Sequence, residues 1–296
     1  MKKAITIIFL LTSYFILGQQ LNTLAKDNKG KPMLLGKTNK KAFENENFKW
    51  FKKNYDSYLT NDKIINQLKD SIQNYTIKAF YGSWCGDSKR ELPKFYKVID
   101  ETHFNKSQLE VIAVDKKSEA YKASPNGEEK GLNIHRVPTF IFYKNNKEVA
   151  RIVEYPKQDF ERDILTIISG EKYSPQYIVV EYLHKMLEKK TIKELKNEEN
   201  KLAASLAEFT KGSRELNTYG YKLLRSNQLE KAVFVFELNT KMYPYKANVF
   251  DSLGEAYFTT KNYNKALSSY NKAQKLDPND KNIANMIKKI KTEINQ

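Results

Sequence analysis

The stretch Thr76–Phe95, TIKAFYGSWCGDSKRELPKF, holds the only cysteine of this 296-residue chain and limits the fold more than any other segment. Thr76–Tyr81 is short, apolar and β-branched at its start, the composition of a buried strand. Gly82 and Ser83 break it. From Ser88 to Asp100, Leu92, Phe95, Tyr96 and Ile99 recur on one helical face. Cys85 therefore sits where a strand turns into a helix. Free backbone N–H groups and the positive end of the helix dipole favour an anion at such a point. A thiolate is one, so the position suits a nucleophilic sulfur. The competing reading is a small, buried and inert side chain.

Trp84-Cys85-Gly86-Asp87-Ser88-Lys89 resembles the thioredoxin active site, Trp-Cys-Gly-Pro-Cys-Lys. Pro93 follows Cys85 at the distance where thioredoxins carry a kinking proline. Val137-Pro138-Thr139, ahead of the apolar run Phe140–Tyr143, resembles the cis-proline signature that faces the active cysteine. The resemblance spans roughly Ile64 to Gly170. It implies an α/β thioredoxin-like fold, a mixed central sheet with flanking helices on both faces. It also implies a catalytic role for Cys85, with Trp84, Gly86, Val137 and Pro138 framing an extended partner chain bound by β-type hydrogen bonds.

The sequence departs from the family pattern at three places. Ser88 stands where the resolving cysteine belongs, so no intramolecular disulfide can form. Asp87 replaces the proline between the cysteines, and Ala79 replaces the buried acid. The Ser88 hydroxyl lies one helical turn on and is a candidate to hydrogen-bond the thiolate; otherwise it is a small helix residue. Asp87 either disfavours the thiolate through like charge or stabilises the helix start, and the second role is favoured. Arg136 is a candidate to border the sulfur and favour its charge, and His135 to move protons. Either is alternatively a surface residue.

The last third repeats. Gly220 recurs as Gly254 after 34 positions, and Ala232/Ala266, Phe236/Tyr270 and Pro244/Pro278 keep the same step. This register resembles the tetratricopeptide repeat (TPR). Small residues let two helices approach, large ones are expected to fill the space between repeats, and the prolines end each second helix. Two repeats need helices on either side to complete a stack.

The domain plan is then a secretory signal peptide at 1–19, an N-terminal extension packed on the core at 20–55, and a thioredoxin-like domain at 56–170. Helical linker or capping helices follow at 171–210, then two TPR-like repeats plus a terminal helix at 211–296. The first segment joins basic Lys2-Lys3 to an apolar run, Ala4–Leu17, too short for a comfortable membrane span. It implies a periplasmic or secreted protein with no integral span after cleavage. Within 20–55, Leu34-Leu35 is a short strand or packing element, and Phe43, Phe48, Trp50 and Phe51 are aromatic anchors. Asp115–Leu132 is expected to carry short helices near Tyr121 and Glu128. Asn145-Asn146 should turn a hairpin, and Thr191–Phe209 should be helical.

The formal charge of +16 comes from 51 basic residues scattered among 35 acidic ones. That is a lysine-rich solvated surface, and no concentrated basic stripe points to nucleic acid. One cysteine and three dispersed histidines show no metal-ligand spacing, and no cofactor motif is present. The implied partners are a protein or small-thiol disulfide for Cys85 and a protein for the TPR-like tail. Thiol–disulfide exchange is one function consistent with this. A redox-inactive thioredoxin-fold and TPR scaffold is the other.

Overall fold

The computed structural model describes residues 20–295. Residues 1–19, where a signal peptide is expected, lie outside them. Six strands form one mixed sheet: β1 (Thr23–Lys26), β2 (Pro32–Thr38), β3 (Thr76–Tyr81), β4 (Leu109–Ala113), β5 (Thr139–Lys144) and β6 (Lys147–Val153). Their spatial order is β1-β2-β4-β3-β5-β6. β3 and β4 run parallel, and every other pairing is antiparallel. Asn145 and Asn146 both take positive φ between β5 and β6, as a tight hairpin requires. The N-terminal extension does more than lie on the core. β1 and β2 form a hairpin, and β2 continues the sheet by pairing with β4.

Four helices accompany the sheet: α1 (Trp50–Ser57), α2 (Asp62–Ser71), α3 (Gly86–Glu101) and α4 (Phe160–Ile168). Asn61 caps α2 by accepting from the Ile64 N–H, and Asp159 caps α4 by accepting from Arg162. Strand periodicity divides the core in two. Ile77, Ala79, Tyr81, Phe140 and Phe142 pack with Phe51, Leu68, Phe95, Ile99 and Ile164 in one cluster that unites all four helices. The intervening residues Phe80, Ile112, Val114 and Ile141 point the other way, toward Ile134, Val137, Trp84 and Cys85. Helices of this domain were expected on both faces, but α1–α4 share one core. The second face is covered by the crossover after β4 and by the start of the tail. Within that crossover only Ser118–Ala120 makes a helical turn. Gly127 and Gly131, both at φ +74, bracket Glu128 and leave no room for a helix there.

The tail is helical: α5 (Ile178–Lys189), α6 (Ile192–Asn197), α7 (Glu199–Ala207), α8 (Arg214–Arg225), α9 (Leu229–Met242), α10 (Ala247–Thr259), α11 (Tyr263–Leu276) and α12 (Lys281–Ile294). The expected helix over Thr191–Phe209 breaks at Glu198, where no apolar side chain between Leu195 and Leu202 holds the register. A Cβ at Gly220 would fall 2.7 Å from the Phe236 ring, and one at Gly254 would fall 2.6 Å from Tyr270. The large residues therefore fill the crossing within each helical hairpin, α8–α9 and α10–α11, and not the space between repeats.

Candidate functional site

Cys85 is the N-cap residue of α3, in extended conformation with its carbonyl accepting from the Lys89 N–H at 3.0 Å. It is partly exposed. Its sulfur donates to the carbonyl of Val137 at 3.3 Å, and the Val137–Pro138 peptide bond is cis. Three segments far apart in sequence thus meet: the end of β3, the start of α3 and the loop before β5. Trp84 is anchored by its indole N–H on the Val114 carbonyl at 2.9 Å. Its ring lies over Gly82, where a Cβ would come within 2.6 Å of the indole. Gly86 is exposed at the helix start.

The turn is held from outside as well. Ser83 is buried, and its hydroxyl accepts from the Leu34 N–H of β2 at 2.8 Å. Pro93 lies inside α3 and cannot donate to the Lys89 carbonyl; the Asn54 side-chain amide does so at 2.9 Å. This satisfies the acceptor that a helical proline would otherwise strand.

The neighbours of Cys85 divide. Ser88 is fully buried, and its hydroxyl accepts from the Gly82 N–H at 3.1 Å. It braces the turn rather than the sulfur, because its side chain points back to the strand end. Asp87 pairs with Arg90 one turn along α3, and one of its carboxylate oxygens lies 3.9 Å from the sulfur. It therefore both neutralises the helix start and approaches the thiol.

The loop before Pro138 is occupied on its far side. Arg136 pairs with Glu154 at 2.8 Å and stacks 3.9 Å above the Tyr177 ring. Tyr177 in turn donates to Glu154. Arg136 also reaches Thr218 and the Arg214 carbonyl of α8. It is thus a strap between the cis-proline loop and the tail, and not a free cation beside the sulfur. His135 is 1% exposed, edge-on to Tyr177 and Tyr219. Burial holds its imidazole well below the ordinary value near 6.5, so it stays neutral and away from solvent protons.

Two lysines, one in the crossover and one in α8, are not singled out by the sequence. Lys122 is buried at 4% exposure, donates to the His135 carbonyl and lies over the Tyr121 ring at 4.5 Å. Lys222 of α8 donates to the Lys122 carbonyl at 3.3 Å. A cleft of about 480 Å³ runs between this crossover and α5, α8 and α9, bordered by Tyr121, Asn133, His184, Tyr219 and Lys222. Among the described residues no cluster of histidine, cysteine and carboxylate side chains could hold a metal, and no helix is long and apolar enough to cross a membrane.

A half-open cysteine capping a helix opposite a cis-proline loop, on this sheet, defines a thioredoxin-like site. Residues 55–166 match the thioredoxin family model, and residues 252–280 match that of the tetratricopeptide repeat. The chain carries a thioredoxin domain followed by a helical region with a TPR repeat. Its relatives include thioredoxin H2 of Arabidopsis thaliana, 26% identical over 100 residues, or 34% of this chain and 67% of that protein. Thioredoxin H9 of the same plant is 27% identical over 115 residues, 39% of this chain and 74% of its own length. A thioredoxin of Malassezia sympodialis is 28% identical over 74 residues, 25% and 63% of the two chains.

Proposed function

We propose that the chain is an exported, single-cysteine thiol–disulfide exchange protein whose tail binds protein. The observation that supports it most is the Cys85 sulfur, partly exposed at a helix N-cap and 3.3 Å from the Val137 carbonyl. A thiolate there attacks one sulfur of a partner disulfide. A new S–S bond forms to Cys85, the partner's S–S bond breaks, and its other sulfur leaves as a thiolate that takes up a proton. With Ser88 in place of a second cysteine, release requires an external thiol. That thiol attacks the adduct, regenerates Cys85 and departs in a new disulfide. The net chemistry is interchange of disulfides, as in isomerisation or deglutathionylation, without net dithiol reduction. The Val137 backbone, whose carbonyl now accepts from the Cys85 sulfur, would receive the partner's extended chain once the sulfur is engaged.

The test is incubation of the folded chain with oxidised glutathione and with a scrambled disulfide protein, followed by mass spectrometry. An adduct on Cys85 that a small thiol reverses, and that Cys85→Ser abolishes, supports the reading. Full exchange activity in Cys85→Ser would end it.

A second reading is a redox-inactive binding module. It is favoured by the Arg136–Glu154–Tyr177 strap, which couples the cis-proline loop to the tail. Partner capture that persists in Cys85→Ser and is lost on truncation at Ser174 would select it.

A further inference from the structure

We propose that Lys122 is a positioning residue for the thiol, its buried ammonium favouring the Cys85 thiolate from beneath the cis-proline loop. The proposal rests on the reading of Cys85 as a nucleophile. The geometry is a shared loop. Lys122 Nζ donates to the carbonyl of His135, and the Cys85 sulfur donates to the carbonyl of Val137, two residues on. Cation and sulfur are thus fastened to one short segment.

Lys122 is an unusual residue to bury. Its backbone is left-handed, φ +56, an uncommon conformation for a lysine. Among the described residues it forms no ion pair with a carboxylate; its charge is met by the His135 carbonyl and the Tyr121 ring. An apolar side chain of the same length would satisfy packing without bringing a charge out of water. Packing alone therefore does not account for an amine here.

The charged groups that face it come from every neighbouring element. Arg136 of the loop and Lys222 of α8 oppose its charge, whereas Cys85 and Glu154 favour it. Burial, the largest influence, brings its pKa down from 10.5 to about 7. His135 stays neutral, and the Tyr121 hydroxyl is pushed up by burial and by charge on Cys85. Near neutral pH Lys122 therefore exchanges between amine and ammonium. An ammonium fastened to the same short segment as the sulfur favours a negative charge on Cys85 over the neutral thiol. When Cys85 ionises, its proton leaves for solvent and one is bound by the Lys122 amine. Thiol plus amine become thiolate plus ammonium, and the net charge of the pair is unchanged. The thiolate then attacks the partner disulfide as described above.

The experiment is the pH dependence of iodoacetamide labelling of Cys85 in the folded chain from residue 20, compared among wild type, Lys122→Met and Lys122→Arg. Lys122→Met is expected to slow labelling about tenfold near pH 7, the equivalent of one pKa unit. The gap should close at high pH, where both thiols are ionised, and Lys122→Arg should recover part of the rate. A lysine with only a structural role would alter thermal stability and leave the pH profile in place. Labelling of Lys122→Met at the wild-type rate throughout overturns the proposal and leaves Cys85 as nucleophile. A wild-type thiol that labels only in denaturant overturns both. Should Lys122→Met not fold, the ε-carbon resonance of Lys122 is titrated in wild type and Cys85→Ser. A fall in its midpoint on loss of the sulfur is expected, and an unchanged midpoint overturns the proposal.

Discussion

The side-chain amide of Asn54, in α1, donates at 2.9 Å to the carbonyl of Lys89, the acceptor that Pro93 leaves without its helical N–H. Asn54→Ala should therefore cost about 1–3 kcal/mol, the penalty of a partly buried acceptor without a donor. In a Pro93→Ala background the backbone N–H returns, and the same substitution should cost much less. Urea unfolding of the four proteins measures the difference. Equal costs in both backgrounds would refute the relationship.

Gly254→Ala should destabilise the tail by about 1–3 kcal/mol, because the new methyl meets the Tyr270 ring. The methyl would sit 2.6 Å from that ring, and neither helix can retreat without opening the α10–α11 crossing. Tyr270→Leu should relieve part of the cost. Gly220→Ala should behave alike against Phe236, and far-UV circular dichroism during denaturation reads both.

His135 should make the fold sensitive to mild acid. Its imidazole is held well below 6.5 by burial, with Lys122, Arg136 and Arg151 adding to the effect and the Asn133 carbonyl opposing it. Below about pH 6.5 the unfolded chain takes up a proton here that the folded chain does not. Its contribution is complete above that pH and declines below it, by at most about 1.4 kcal/mol per pH unit. His135→Leu removes this component. The stability of wild type relative to the variant should fall between pH 7 and pH 5. A constant difference would show that the imidazole titrates normally.

Arg136→Met should loosen the seat of the tail. The Arg136–Glu154 pair has side chains only 14% and 11% exposed, and removing one member of such a pair costs roughly 3 kcal/mol. The guanidinium also loses the Tyr177 ring at 3.9 Å. Limited proteolysis should then cut faster between Tyr173 and Tyr177 than in wild type, with α10–α12 unaffected. An unchanged cleavage rate would mean that the strap carries little of the contact.

Where the chain speaks locally, its sequence was legible. The β3–turn–α3 unit follows from a change of period at Gly82, the hairpin from two asparagines that tolerate positive φ, and the TPR register from glycines facing aromatics. The site was legible only as far as Cys85 and the Val137–Pro138 loop. Lys122 is one of 51 basic residues, in a charged crossover without periodicity. It is buried where the crossover meets the cis-proline loop and α8. Ser88 reads as a neighbour of the sulfur by helical spacing, yet its rotation toward Gly82 is fixed by the strand end. Thr23–Lys26 shows no apolar alternation strong enough to mark a strand, and Leu24 stays 53% exposed. Its pairing is imposed by β2, not by its own composition.

The bond from the Leu34 N–H to the Ser83 hydroxyl makes the N-terminal hairpin a mechanical tether of the thiol loop. Tension applied at β1 would be delivered through β2 to a point two residues from the sulfur, before it reached α3 or the tail. A chain fixed by its N-terminal end would thus feel its attachment at Cys85, whereas one fixed through α12 would be pulled at the far end of the helical stack.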